Sequence, residues 1–360
     1  MGRPVIFAAD GEQILALPVD GADGERVAAF HALHAARPPR LAITARRAKA
    51  LGVEAAEPVL VELAASDDAD SIFALAASAH VDRAVATHPA GRTAVAAIEL
   101  AKLAQRLPAL LIRDAEAHAS AILNPPLITV DADAVARFRR EIIRSLVIAG
   151  DAQVPLENGL STRFVVFRDV IGGSSAAIIV GNPDFSQPVP VRLHSACLTG
   201  DVFGSRRCDC GDQLNLALAR LHAAGGGVIL YLDQEGRGVG LVNKIRAYKL
   251  QDAGLDTVDA NTTLGFDDDE REYKIAARML DLLGCRRVLL LTNNPSKLES
   301  LIEAGIEIVE RLPLYTPINA DNRRYLAAKA TRAGHWLDGM FVESNADQSK
   351  REEPRLAPPP

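Results

Sequence analysis

Three of the chain's four cysteines fall within residues 197–210, spaced Cys197-x10-Cys208-x-Cys210. This spacing restricts the local fold if one ion holds all three. Zinc binds thiolates at about 2.3 Å in a tetrahedron. Cys208 and Cys210 reach such an ion from one tight turn, and Cys197 must come from the end of a preceding strand. The run VPVRLHSACLTGD reads as a strand entering a loop, as required. Three protein ligands with an open fourth position make the catalytic pattern, whereas structural sites close with four. His194 or His222 as fourth ligand would make the site structural, and buried free thiols are the third reading. Cys285 stands apart in sequence.

Around this cluster, strand and helix patterns alternate. STRFVVFRDV and SAAIIVG read as strands paired about the turn-like IGGS, and VILYLD as a buried strand. DQLNLALARLHAAGGG, LVNKIRAYKLQDAG and DDDEREYKIAARMLDLLG read as helices, the last with carboxylates in its first turn, where the dipole favours them. RVLLLTNN and IEIVER read as strands flanking a helix that Pro295 opens. In the first third, RPVIFAAD, RLAIT and PALLIRDA read as strands, SIFALAASAH and RTAVAAIELAKLAQRL as helices. NPPLI interrupts the pattern, because proline cannot continue a helix or a central ladder. The chain is therefore expected to be α/β (α+β) with two domains, over 1–125 and 150–343. A linker helix at 126–149 joins them, and the charged, proline-rich tail at 344–360 is expected to be disordered. At 360 residues, either half is long enough to bury a core.

VILYLDQEGRGVGL is strand, glycine loop, helix. It matches neither G-x-G-x-x-G nor the G-K-[ST] phosphate loop. Glu235 beside Arg237 is more specific, since a carboxylate pairs with the amide edge of guanine and a guanidinium with phosphate. A solvated turn is the alternative.

The segment from about 150 to 340 closely resembles the GTP cyclohydrolase II family, which opens riboflavin synthesis. The resemblance is carried by RLHSACLTGD, RRCDCGDQL, DQEGRGVGLVNKIRAYKLQD, DTVDAN, LGFDDDEREY and LLLTNNPSKL, in that order. It implies a C-terminal mixed sheet with flanking helices. It also implies a homodimeric hydrolase with one zinc per subunit on Cys197, Cys208 and Cys210, and magnesium on the triphosphate of GTP. The implied products are formate, pyrophosphate and a diaminopyrimidine ribosyl phosphate. Asp269 is similar to the family's proton acceptor, Arg271 to its nucleophile toward the α-phosphate, and Tyr248 to the residue that places a second water. GTP contacts would come from Arg192, Leu193, His194, Ser195, Ala196, Gln213, Glu235, Gly236, Arg237, Thr257, Thr292 and Lys297.

Elementary chemistry fits most of these roles. Zinc lowers the pKa of bound water toward ~7 and so supplies hydroxide for the imidazole carbon of guanine. Lys297 at a helix start adds an ammonium to the dipole for a phosphate. Thr292 at a strand end takes the crevice position of α/β sites. Asp269 and Arg271 would not share a helical face at a spacing of two, but a loop or first turn relaxes that limit. Arginine is a poor nucleophile because it stays protonated, so electrostatic clamping of phosphate is the physically favoured role of Arg271. Two positions depart from the family: Ala196 where glutamate is usual, and Asp233 where a basic residue commonly precedes QEGR. An aspartate there repels an anion.

Residues 1–125 resemble dihydroxybutanone-phosphate synthase through RPVIFAADGE, RLAITARRAKALGV and THPAGRTAVAAIELAKL. That family binds magnesium with a dense acidic loop after its first strand. Here DGEQILALPVDGADGE keeps only Asp10 and Glu12 near the right place, too few oxygen ligands for magnesium. A degenerate domain without that activity is expected. A net charge of −6 speaks against a nucleic-acid partner. Without a secretory signal or a run of ~20 apolar residues, no membrane partner is expected and the cytoplasm is the expected location. The rival functions are a paralogue with altered product and a non-catalytic nucleotide-binding or regulatory protein.

Overall fold

The computed structural model describes residues 3–33, 38–115, 126–157, 159–332 and 334–337. The tail expected at 344–360 lies outside them. The chain forms two compact units. One comprises Met1–Arg144 with Gln234–Glu272, the other Ser145–Asp233 with Tyr273–Pro360. Residues 234–272, read from sequence as part of a continuous C-terminal domain, thus pack with the first unit.

The first unit contains β1 (Val5–Ala9), β2 (Glu12–Pro18), α1 (Gly24–Ala32), β3 (Arg40–Ile43), α2 (Ala45–Ala50), β4 (Val59–Glu62), α3 (Ala69–Ala77), β5 (Thr87–Pro89), α4 (Arg92–Leu103), β6 (Ala109–Asp114), β7 (Thr129–Asp131) and α5 (Ala132–Ser145, whose last residue belongs to the second unit). Its strands make one sheet in the order β5-β4-β3-β6-β2-β1-β7, antiparallel except where β1 meets β7. Side chains alternate across it. Leu15, Leu41, Ile43 and Val61 face a core with Phe30, Ile72 and Leu75. Ile14, Ala42, Leu60 and Ile112 face Ala94, Ala97 and Ile98 of α4. β2 occupies part of the segment read from sequence as an acidic loop. Asp10 and Gly11, with φ of +48° and +82°, supply the tight turn that folds it back on β1.

Segment 234–272 carries a 3-10 turn at Glu235–Gly238, α6 (Leu241–Asp252) and α7 (Thr257–Thr263). Val239, Ala247, Ala260, Leu264 and Phe266 pack there with Ala77 and Leu107. Arg47, 1% exposed, donates to the carbonyls of Ala74, Leu75, Ser78 and Thr263, capping the C-terminal ends of α3 and α7. Burial without a carboxylate partner pulls its guanidinium down to about 10.

The second unit contains β8 (Val147–Pro155), β9 (Ser161–Arg168), β10 (Ser174–Gly181), β11 (Val189–Ser195), α8 (Cys210–Ala223), β12 (Gly226–Leu232), α9 (Lys274–Leu283), β13 (Arg287–Leu291), α10 (Pro295–Glu303), β14 (Glu307–Leu312) and α11 (Arg323–Thr331). Its sheet runs β14-β13-β11-β12-β10-β9-β8, parallel among β14, β13, β11 and β12 and antiparallel beyond. The mixed sheet with flanking helices is as expected. Two local readings change. Residues 147–149, read as the end of the linker helix, begin the edge strand β8, where Val147 and Ile148 favour extended backbone. Residues 267–273 are irregular, and α9 starts only at Lys274. Asp267, Asp268, Asp269 and Glu270 all bond to arginine or lysine side chains, and these pairings override the pull of the helix dipole.

Candidate functional site

The end of β11 delivers Cys197, a π-helical turn at Leu198–Val202 reverses the chain, and α8 begins at Cys210. The three sulfurs lie within 4.8 Å of one another, with Cys197 and Cys208 3.7 Å apart. Thiolates on one tetrahedral zinc sit about 3.8 Å apart, so the spacing suits that ion. Glycine makes the nest possible. A Cβ on Gly200 would lie 2.9 Å from the Cys208 sulfur and 3.0 Å from that of Cys197, and one on Gly211 would lie 2.5 Å from the Gly200 carbonyl. The hydrogen bond with Cys197 pushes the Cys208 thiol up to about 11, and bonds to Cys197 and Cys208 together with burial raise Cys210 well above its usual range. Without a cation, crowding keeps these groups protonated. A bound divalent cation would deprotonate them, since a coordinating thiol loses its proton to the metal.

Among the described residues this is the one group able to hold a metal, and it comprises the thiols alone. His222 lies in the last turn of α8. His194 is turned to Asp201, its Nε2 3.1 Å from both carboxylate oxygens. Burial lowers the His194 pKa despite that carboxylate, leaving a neutral ring that donates to Asp201 through Nε2 and has an unpartnered acceptor at Nδ1. Asp201 also accepts from the Cys197 amide and the Tyr231 hydroxyl. One carboxylate thereby fixes both the zinc-type cysteine and the histidine three residues before it. Sequence reasoning assigned no role to Asp201. Its position in CLTGD, close to the cysteine, was the available signal.

The parallel strands β11, β12 and β13 end beside one another, at the crevice position typical of α/β sites. There the Arg192 guanidinium donates to Gln213 Oε1 at 2.5 Å and to the Leu291 carbonyl, and Lys297 Nζ donates to the Leu193 carbonyl at 2.9 Å. Thr292 accepts from the Asn294 amide. Leu193 itself points into the core, so only its backbone is offered. Ser195 Oγ is buried without a partner, and the Ala196 amide is engaged by the Leu232 carbonyl. Arg192, Thr292 and Lys297 are all nearly inaccessible, at 5%, 1% and 5% exposed.

The remaining sequence-predicted residues lie in the first unit. Glu235 Oε1 accepts from Lys244 Nζ at 2.8 Å, and that ammonium lies over the Tyr248 ring. Gly236 and Arg237 both adopt left-handed backbone, with φ of +64° and +65°. For Arg237 this is strain of order 1 kcal/mol, of the kind that gathers at functional loops. Its guanidinium donates to the carboxylate and carbonyl of Asp268. Arg271 grips Asp269 in a two-pronged pair, 2.7 Å from Nε and 2.6 Å from Nη2. The irregular backbone allows this i, i+2 contact, which a helix would forbid. Burial alone would raise the Asp269 carboxyl, but the charge and hydrogen bonds of Arg271 hold it below its ordinary value. Thr257 opens α7 behind its cap, Asp256. Lys244 and Asp268, the partners of Glu235 and Arg237, were not found from sequence.

The acidic pair read as a remnant magnesium site takes a different form. Arg92 places one nitrogen on Asp10 and another 2.5 Å from Asp133, while the Glu12 carboxylate lies where a Cβ on Gly91 would meet it at 3.2 Å. A guanidinium stands among these carboxylates.

No helix among the described residues is long and apolar enough to cross a membrane. The profile of a family described as GTP cyclohydrolase II matches residues 147–313. A curated protein named GTP cyclohydrolase-2 from Azospirillum brasilense is 44% identical over 346 residues, covering 92% of this chain and 89% of that protein. One from Xylella fastidiosa is 41% identical over 357 residues, 98% of this chain and 89% of its own length. A shorter one from Azotobacter vinelandii is 50% identical over 196 residues, 54% of this chain but 94% of its own.

Proposed function

The chain belongs to the GTP cyclohydrolase II family of hydrolases, and from that premise we propose that it opens the guanine ring of GTP with zinc, releasing formate and pyrophosphate. The observation that carries the zinc reading is the three-thiol nest, with sulfurs within 4.8 Å and glycines where any side chain would intrude. Cys197, Cys208 and Cys210 would hold the ion, which when bound supplies a Lewis acid and a hydroxide-strength nucleophile from water near neutral pH.

The chain's own residues do the rest. Asp269, kept ionised by Arg271, is the proton acceptor at neutral pH. Arg271, always protonated, clamps phosphate charge, a role physically easier than nucleophilic attack. Tyr248 places water. Glu235 reads the amide edge of guanine, and Gly236 and Arg237 complete that contact. Arg192 and Lys297 carry the positive charge at the strand ends that a triphosphate requires, together with magnesium brought in on GTP. Gln213, Thr292 and Thr257 contribute neutral hydrogen bonds. Leu193 to Ala196 offer backbone groups, with the bare His194 Nδ1 as an acceptor. The product is a diaminopyrimidine ribosyl phosphate, the protein is a cytoplasmic homodimer, and residues 1–125 are a degenerate synthase domain.

The test is turnover of GTP by zinc-loaded protein, with formate and pyrophosphate assayed separately and Cys208→Ser as control. Equal amounts of both products, with formate lost in the variant, support the reading. Pyrophosphate without formate points to an altered product, and neither product removes the activity from this chain.

A further inference from the structure

Four of the residues assigned roles in the first unit, Glu235, Arg237, Asp269 and Arg271, sit on two short segments, a 3-10 turn at 235–238 with two left-handed residues and the irregular run 267–271, whereas Tyr248 is carried by α6. Such loops hold a working geometry only if something outside them does the holding. Glu270 joins them. Its backbone amide donates to the Arg237 carbonyl at 3.0 Å, and its Oε1 accepts from the Asp267 amide at 2.9 Å. Gly238 rests so close to the Glu270 carbonyl that a Cβ there would come within 2.8 Å. The Glu270 carboxylate is itself held by Lys102, 2.8 Å away, on α4. Both side chains are sheltered, 10% and 11% exposed, unlike the solvated ion pairs that contribute little. Lys102 also reaches Asp267 at 3.5 Å. One ammonium from the N-terminal sheet domain therefore fixes the residue that laces the two loops together, and Glu270 and Asp267, one residue after and two before Asp269, are in its grip.

We propose that Lys102 is a positioning residue for the ring-opening reaction, and that the domain formed by residues 1–125 serves the enzyme as the scaffold of its 235–238 and 267–271 loops. The inference rests on the reaction proposed above for Glu235, Arg237, Asp269 and Arg271. Lys102 touches none of the reacting groups. It acts through Glu270.

The experiment uses the full zinc-loaded chain with Lys102→Met, Lys102→Arg and the double variant Lys102→Met, Glu270→Gln. The double variant removes the stranded carboxylate, so it keeps the chain folded where the single change does not, and it carries the same expectation. Kinetics of formate release are read together with zinc content and with hydrogen exchange of peptides covering 235–240 and 267–271. Lys102→Met is expected to lower kcat by about ten- to a hundredfold, with a smaller rise in KM from the loosened guanine contact. Zinc stays bound, exchange quickens in those two peptides, and Lys102→Arg recovers most of the rate. Full kcat in Lys102→Met with unchanged exchange overturns the inference. A fall in kcat that Lys102→Arg does not rescue, with the loops still protected, overturns it as well. A wild type that releases no formate defeats the proposed reaction instead, and loop exchange then decides whether Lys102 holds the loops.

Discussion

The thiol nest at 197–210 and the carboxylate corner at Asp10, Glu12 and Asp133 are both clusters of metal-type ligands, yet they differ in what fills them. In the corner, Arg92 stands between two carboxylates and supplies a permanent positive charge. The nest is built of three thiols, and Gly200 keeps the space beside their sulfurs clear. The corner is also exposed, with Arg92 59% and Asp10 75% accessible, whereas Cys197 and Cys208 are buried.

The comparison breaks first at Cys208. Replacing it by serine is expected to reduce bound zinc and formate release by more than about a hundredfold, read by metal analysis and product assay. Asp10→Asn should alter neither, and a loss of formate there would give the corner a share in the chemistry. Gly200→Ala comes next. A methyl within 3.0 Å of two sulfurs should weaken zinc by about ten- to a hundredfold in chelator competition, and unchanged affinity would mean that the nest yields.

A third test sets two aspartate–arginine pairs side by side. Asp269 and Arg271 are 29% and 12% exposed, far more sheltered than Asp10 and Arg92. Asp269→Asn should lower kcat by about a hundredfold or more. The folded-state pKa of Asp269 lies below its unfolded value, so its stabilisation is present above about pH 4 and is lost as pH falls through the folded value. Thermal unfolding should show wild type and Asp269→Asn converging as acid is added. A gap that widens in acid would contradict the assigned direction. The smallest effect belongs to Arg92→Ala. GTP turnover and zinc content should stay at wild-type levels. Magnesium without nucleotide should leave the melting temperature of this variant and of wild type unchanged, and a rise in either would show that the carboxylate corner still holds a cation.

Short-range order was legible in the sequence. Apolar strand patterns marked β9, β10 and the buried run of β12, and the cysteine spacing marked the turn after β11. Local signals misled where a distant partner overruled them. The acidic run 267–270 looks like a helix start, but Arg46 and Lys102, more than 160 residues earlier, draw its carboxylates away from the helix axis. The strand Glu12–Pro18 was hidden by the Asp-Gly turn before it and the Asp-Gly-Ala-Asp-Gly run after it, which together read as one loop. The site motifs were recognisable as a series. That Glu235 answers to Lys244 and Arg237 to Asp268 depends on the path of a loop with two successive left-handed residues, and one sequence does not specify that path.

The buried guanidinium of Arg47 and the Thr44 hydroxyl find partners at Thr263 and Gly265, 216 and 221 residues further along. During synthesis at roughly 5–20 residues per second, about ten to forty seconds pass between the appearance of Arg47 and of its last carbonyl. Throughout that interval the socket around the arginine is incomplete, and a buried cation short of acceptors is costly. Three of the four carbonyls that Arg47 uses, those of Ala74, Leu75 and Ser78, emerge soon after it, so the arginine's socket lacks one acceptor until Thr263 follows. That last acceptor is made only after residues 145–233, which belong to the other unit, so the two units are interleaved in their order of birth.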